Sequence, residues 1–191
     1  MRCLICERFS FFHICKNCQE LFLAPSLYKR KLTSDIEVVS FYKYEDIKPF
    51  LHTKHTDLGY HIFHILAKNS FTPFARSFFW QQKVASVAID DRVKEGYSHT
   101  AILNHALNSK NITPYYGRLY AQNNVIYSSK SKQYREQHPR DFQFGSFKEK
   151  EVIIVDDIIT TGTTLSQAIN VMEQNNKEVL FCLTLADAQK G

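Results

Sequence analysis

Apolar and polar positions along this chain change rhythm several times, and each change marks an element. Residues 36–44 are rich in Val, Ile, Phe and Tyr, the composition of a strand. Over residues 57–68, Leu58, Ile62, Ile65 and Leu66 recur at helical spacing. Residues 84–89 read as a short buried strand, 99–107 as a helix with Ser98 as its N-cap, and 115–120 as a further strand. Asn123 and Asn124 read as a turn, and residues 128–141, polar and basic without periodicity, as a loop. The apolar run 152–155 predicts a buried strand, 162–174 a helix and 179–185 a final strand. Strands therefore alternate with helices after residue 35, the pattern of an α/β domain with a mostly parallel sheet flanked by helices. Ahead of it, residues 1–24 form a cysteine-bearing head and residues 25–34 read as a connector. The chain thus divides into a small unit, 1–34, and a larger one, 35–191.

Composition fits that division. The chain has 191 residues, 44% hydrophobic and 14% aromatic, which suits one sizeable core plus an appendage and argues against disorder of the whole. No run of 18 apolar residues is present, so no membrane span is expected. The start, Met1-Arg2-Cys3, lacks the apolar stretch of a secretion signal, and a cytosolic location is the expectation, with work at the inner face of a membrane through a partner left open. A net charge of +5 favours phosphate or nucleic-acid contact without selecting either. The run Lys29-Arg30-Lys31 is one candidate for nucleic-acid contact, with a solvated face as the commoner reading of such a run.

Four of the five cysteines form two Cys-x-x-Cys pairs, Cys3/Cys6 and Cys15/Cys18. Each pair sets two thiolates on one side of a tight knuckle, and two knuckles close a four-sulfur shell of the kind that holds zinc. Such a shell has no open position, so the ion is structural, and a head this short folds around it. The competing reading is two unrelated pairs or a redox dithiol. Cys182, in an apolar run, reads as a packing residue.

The densest chemistry lies in residues 152–165. Two carboxylates, Asp156 and Asp157, follow the apolar strand. Then come two isoleucines, the hydroxyl-rich loop Thr160-Thr161-Gly162-Thr163-Thr164, and a helix. In open α/β sheets ligands bind at the carboxyl ends of strands. Gly162 lets the backbone approach an anion, and the helix N-terminus favours negative charge. The two aspartates would repel that anion but suit a neighbouring vicinal diol, or help hold a divalent cation. Phosphate plus diol describes a ribose 5-phosphate. The stretch resembles the phosphoribosyl pyrophosphate (PRPP) signature of type I phosphoribosyltransferases at every position. That resemblance implies that Asp156 and Asp157 hold the ribose hydroxyls, that Thr160, Thr161, Gly162, Thr163 and Thr164 wrap the 5-phosphate, and that magnesium accompanies the pyrophosphate.

A four-cysteine head before such a domain resembles the ComF family of competence proteins. Lys54 stands where that family has a basic residue. Glu95-Gly96-Tyr97-Ser98-His99 stands where it has Arg-Gly-Phe-Asn-Gln, and Gln133 and Arg140 approximate a further Gln…Arg pattern. Glutamate at 95 would repel departing pyrophosphate where arginine would neutralise it, with Arg92 or Lys94 as substitutes. A ribose-phosphate pocket is therefore expected, while no catalytic residue is assigned. The resemblance implies PRPP binding in natural transformation, assisting transport of incoming single-stranded DNA across the inner membrane beside an ATP-driven translocase of the ComFA kind. The alternative is a working transferase in nucleobase salvage or nucleotide synthesis. For DNA contact the candidates are Arg118, Lys130, Lys132, Tyr134, Arg135 and Arg140, basic groups interleaved with rings that suit single strands. The same stretch reads equally as a loop that closes over PRPP.

Overall fold

The apolar run 152–155 lies in the sheet interior, with a parallel strand on either side and both faces covered. The computed structural model describes residues 1–32, 36–93, 96–122 and 141–189. In chain order the elements are α1 (Lys16–Phe22), β1 (Tyr28–Lys31), β2 (Glu37–Lys43), α2 (Tyr44–Leu51), α3 (Asp57–Asn69), α4 (Phe71–Ser77), β3 (Val84–Ala88), α5 (His99–His105), β4 (Ile112–Tyr115), β5 (Leu119–Ala121), β6 (Phe142–Phe144), β7 (Glu151–Ile159), α6 (Thr163–Gln174) and β8 (Glu178–Asp187). Six strands form one sheet in the order β1-β2-β8-β7-β3-β4, and β5 pairs with β6 in a separate ribbon. Only β1 runs antiparallel within the six. Purely parallel interior strands read as continuous apolar runs, and Val84–Ala88 is buried at all five positions.

The pleat sorts side chains between two cores. Ile153 and Val155 join Phe41, Phe63, Phe71 and Leu183 on the face covered by α2 to α5. Val152 and Ile154 join Val38, Val87 and Cys182 on the face covered by α6, through Leu165, Ile169 and Met172. From β3 the chain steps outward to β4 and later returns to β7 on β3's other side. The crevice beyond the carboxyl ends of β3 and β7 is thus a topological switch point, where ligands bind in such sheets.

The head packs into the same core. Cys3, Ile14, Cys18 and Leu23 are buried with Phe41 and Phe63, the Tyr42 hydroxyl donates to the Leu23 carbonyl at 2.8 Å, and the His13 and His61 rings stack with centroids 4.4 Å apart. Its outer side is apolar and exposed at Phe9, Phe11, Phe12 and Leu21.

Several expectations are corrected. Residues 28–31, read as part of a connector, form the edge strand β1. The strand expected over 115–120 is two strands, broken at Tyr116-Gly117, where Gly117 takes a positive φ of 60°. The strand expected over 152–155 runs on to Ile159, so Asp156 and Asp157 lie within it. α2 and α4 escaped notice because Pro49 and Pro73 interrupt their patterns. The expected turn at 123–124 and nearly all of the expected loop 128–141 fall outside the described residues.

Candidate functional site

β7 keeps its ladder with β8 through Ile158 and Ile159. The chain then turns through Thr160, Thr161 and Gly162 into α6. Gly162 is the N-cap, at φ 82° and ψ −4°, a left-handed conformation that glycine adopts without steric cost. The Thr161 and Thr163 hydroxyls are 3.0 Å apart. The first N–H groups of α6 have no helical acceptor and face outward with the positive end of the helix dipole. The loop is held from outside by Arg30 of β1, whose Nη2 donates to the Thr160 carbonyl at 2.6 Å. Arg30 belongs to a basic run whose commoner reading is a solvated face. The strand alternates instead, with Lys29 and Lys31 exposed and Arg30 turned inward.

The two aspartates diverge. By strand alternation Asp156 shares the face of Ile154, toward α6, and Asp157 that of Val155, toward α5. There Asp157 Oδ2 meets Lys54 Nζ at 3.2 Å and His99 Nε2 at 3.2 Å, while its Oδ1 accepts the Ile158 N–H at 2.8 Å. Burial alone would raise the Asp157 pKa, but the Lys54 ammonium and then the His99 hydrogen bond hold it well below the usual carboxylate range. Asp157 in turn raises the pKa of Lys54, against the effect of burial.

Lys54 is delivered by the turn between α2 and α3. The Tyr97 hydroxyl donates to the Lys54 carbonyl at 2.7 Å, and Gly59 leaves room beneath it. A Cβ on Gly59 would collide with the Thr53 carbonyl and the Tyr97 hydroxyl. His99, the first residue of α5 after the capping Ser98, lies against the rings of Phe63 and His55, centroids 5.3 and 5.8 Å away. The sequence marked Lys54 only by resemblance and His99 only as a departure from the family's pentad. What selects His99 is its place in the first turn of a helix that packs on β7.

At the end of β3, Asp90 takes a positive φ of 48°. Asp91 is buried, and both its oxygens accept the Gly117 N–H, at 3.1 and 2.9 Å. Burial raises its pKa, with the Gly117 bond opposing. Arg92, suggested as a substitute cation, is engaged with neighbours. Its Nε pairs with Asp90 at 2.9 Å, its Nη2 donates to the Ala121 carbonyl at 2.6 Å, and it lies 5.9 Å from the Tyr120 ring. Beside it opens a cavity of about 380 Å³ lined in part by Asp91, Ser98, Tyr116 and Tyr120. Lys94 and Glu95 lie outside the described residues, as do Lys130, Lys132, Gln133, Tyr134, Arg135 and Arg140. Arg118 is half-buried where the β5–β6 ribbon begins, with its Nε enclosed.

The four head cysteines come together. Their sulfurs all lie within 4.8 Å of one another, and Cys6 and Cys15 are 3.8 Å apart. A tetrahedral ion with bonds of about 2.3 Å needs sulfur–sulfur edges of about 3.8 Å, so the set fits. The Cys15 N–H points at Cys3 Sγ, 3.3 Å away. Burial pushes the Cys3 thiol up, but backbone N–H groups from Cys15, Cys6 and Ile5 bring it down to about 6. Cys18, burial first and its sulfur neighbours next, is pushed up to about 12. Four thiolates without a cation repel one another, which a divalent ion reverses. Cys182 is fully buried, and burial raises its pKa, as suits an inert packing residue.

Residues 122–191 match the family described as phosphoribosyl transferase domain. That match spans little more than a third of the chain, whose fold is mixed α/β with a mostly parallel sheet. Among curated proteins, orotate phosphoribosyltransferase of Buchnera aphidicola subsp. Acyrthosiphon pisum (strain Tuc7) is 34% identical over 68 residues, covering 35% of this chain and 32% of that one. Transcriptional regulator GfcR of Methanosphaera stadtmanae is 44% identical over 48 residues, covering 25% and 24%. The chain thus spans a third or less of these relatives. Among solved structures, adenine phosphoribosyltransferase from Saccharomyces cerevisiae superposes with a TM-score of 0.44 at 19% identity, covering 88% and 86% of the two chains. Orotate phosphoribosyltransferase from Mycobacterium tuberculosis H37Rv gives 0.42 at 14% identity, covering 88% and 81%. The matched segment holds β6, β7 with Asp156 and Asp157, the threonine loop, α6 and β8. No described helix is long and apolar enough to cross a membrane.

Proposed function

We propose that this chain is a PRPP-binding competence protein of the ComF kind, assisting uptake and inner-membrane transport of single-stranded DNA. One juxtaposition carries the reading. A carboxylate-bearing strand runs through a threonine loop into a helix, and this unit shares its core with a head of four clustered cysteines. In this reading the helix N-terminus and the hydroxyls of Thr160, Thr161, Thr163 and Thr164 take the 5-phosphate, with Gly162 allowing close approach. Asp156 and Asp157 face the ribose diol, and magnesium comes with the pyrophosphate. Cys3, Cys6, Cys15 and Cys18 hold a structural zinc.

Single-stranded DNA is the proposed macromolecular ligand. Support comes from the basic, tyrosine-bearing segment between β5 and β6 and from the exposed rings of Phe9 and Phe11, which follow Arg8. A ComFA-like translocase is the proposed partner at the inner face of the inner membrane. Calorimetry with magnesium and PRPP, repeated with a short single-stranded oligonucleotide, tests the two ligands. A strain lacking the gene that transforms normally would refute the role.

A working transferase is the second reading, favoured by Lys54. Its ammonium brings a cation to the carboxylate edge, while in the sequence the family's arginine is replaced by Glu95. Pyrophosphate release with a nucleobase acceptor would support it, and silence across a base panel would end it.

A further inference from the structure

We infer that Arg30 is a positioning residue for the phosphate-binding loop, setting the peptide plane between Thr160 and Thr161 from outside the site. The inference rests on the PRPP reading of that loop and adds to it a residue from the strand that follows the head.

The argument begins with the planar peptide. In a trans peptide the C=O and the following N–H point in opposite directions. The Thr160 carbonyl is drawn outward to Arg30 Nη2, 2.6 Å away. The Thr161 N–H of the same plane therefore points away from Arg30. A loop whose ligand is read by backbone N–H groups depends on that orientation, because a flipped plane would present a carbonyl oxygen to an anion. Thr160 and Thr161 are exposed, and Gly162 has the widest backbone freedom of any residue.

Arg30 is itself held by two partners besides the loop, as a positioning group must be. Its Nη1 donates to Gln189 Oε1 at 3.1 Å. Its Nε lies 3.4 Å from Asp187 Oδ2, an ion pair without hydrogen-bond alignment. Asp187 is the β8 residue paired with Ile159, just before the loop. The side chain is only 19% exposed. The guanidinium thus ties the end of β8, the loop and β1 together, with a planar fork that lysine does not have. Leu32 supplies an independent contact. Its Cδ2 occupies the space over Gly162, where an added Cβ would lie 2.5 Å from it. Two side chains from one short segment therefore press on consecutive parts of the loop.

The test uses the full-length, metal-loaded chain in two arms. The first needs no ligand: amide hydrogen exchange over residues 160–163 in the wild type, Arg30→Met and Arg30→Lys. Faster exchange is expected in Arg30→Met, with partial recovery in Arg30→Lys or on adding millimolar guanidinium. Exchange over β7 and β8 should stay as in the wild type. Unchanged exchange in the loop would overturn the inference. The second arm is calorimetry with PRPP and magnesium, with Asp156→Asn as the control for the pocket. Arg30→Met should weaken PRPP by about tenfold or more, the loss expected for one charge-assisted hydrogen bond, and guanidinium should restore part of it. If Asp156→Asn loses PRPP and Arg30→Met does not, the pocket stands and the role of Arg30 falls. If the wild type itself binds no PRPP, the ligand reading falls, and the exchange arm still decides whether Arg30 holds the loop. A uniform fall in protection across the sheet would mark Arg30 as merely structural and would also overturn the inference.

Discussion

Replacing Lys54 by methionine removes one cation from the Asp157 carboxylate while keeping most of the side chain's apolar volume. The pair is 3.2 Å apart, with side chains 33% and 11% exposed. At an effective dielectric of about 20 the attraction is roughly 5 kcal/mol. Breaking a fully buried pair costs about 3–5 kcal/mol, because one charge stays behind unpaired. Partial exposure of Lys54 screens the loss, and His99 remains at 3.2 Å as a second partner, which leaves about 1–3 kcal/mol. For a chain of this size about 2 kcal/mol lowers Tm by roughly 4–8 °C. The sign of the pH dependence follows from the two shifts. Asp157 is depressed in the folded state, so its contribution is full above the unfolded carboxylate pKa of about 3.9 and is lost as pH falls through the lower folded value. Lys54 is raised, so its contribution is full below about 10.4 and is lost as pH rises through the higher folded value. The gap in Tm between wild type and Lys54→Met should therefore be widest near neutrality. It should narrow as pH drops below about 4 and again as it climbs past about 10. Differential scanning fluorimetry across that range, closed by a double-mutant cycle with Asp157→Asn, measures the coupling. A gap near zero at pH 7, or one that stays constant into acid, would show that Lys54 does not face an ionised Asp157.

Three further outcomes follow from particular contacts. Gly59→Ala forces a Cβ into the Thr53 carbonyl and the Tyr97 hydroxyl that carry the Lys54 turn. It should cost about 2–3 kcal/mol in chemical denaturation, with a variant as stable as wild type counting against that packing. Cys18→Ser, or treatment with a strong zinc chelator, should release one metal equivalent in a chromogenic assay. It should also lower Tm, because the buried head shares the core of Phe41 and Phe63; a chain isolated metal-free with unchanged Tm would refute the zinc reading. Asp91→Asn keeps an acceptor for the Gly117 N–H and removes a carboxylate whose folded pKa burial has raised. A raised carboxylate disfavours the fold once ionised, so the variant should match or exceed wild-type Tm at pH 7 and lie nearer to it below about 4. A fall of several degrees at pH 7 would contradict it.

How much of this was legible in the chain depends on how far apart the interacting residues lie. The Cys-x-x-Cys pairs, the strand–loop–helix of 152–174 and the alternation of elements are local patterns, and the structure brings the corresponding residues together with boundaries shifted by a few positions. Lys54 with Asp157 and Arg30 with Thr160 are separated by 103 and 130 residues. No spacing rule reaches that far, because such pairs are set by strand order and by which face each residue occupies. One consequence of the pleat was nonetheless available from the sequence. If the strand runs past Val155, successive carboxylates must point to opposite faces, so Asp156 and Asp157 cannot have equivalent surroundings. Reading the strand as ending at Val155 hid this, since two residues of a loop are free to turn the same way. With β7 continuing to Ile159, Asp157 falls on the face that α5 covers and acquires Lys54 and His99, while Asp156 falls on the face of Ile154. The pair therefore enters any ligand interaction asymmetrically. Asp157 has one oxygen on the Ile158 N–H and the other on two nitrogen donors, and Asp156 accepts the Asp157 N–H at 2.8 Å. A carboxylate engaged in this way orients its neighbours, so Asp157→Asn should lower Tm at pH 7 in differential scanning fluorimetry, and an unchanged Tm would contradict that role.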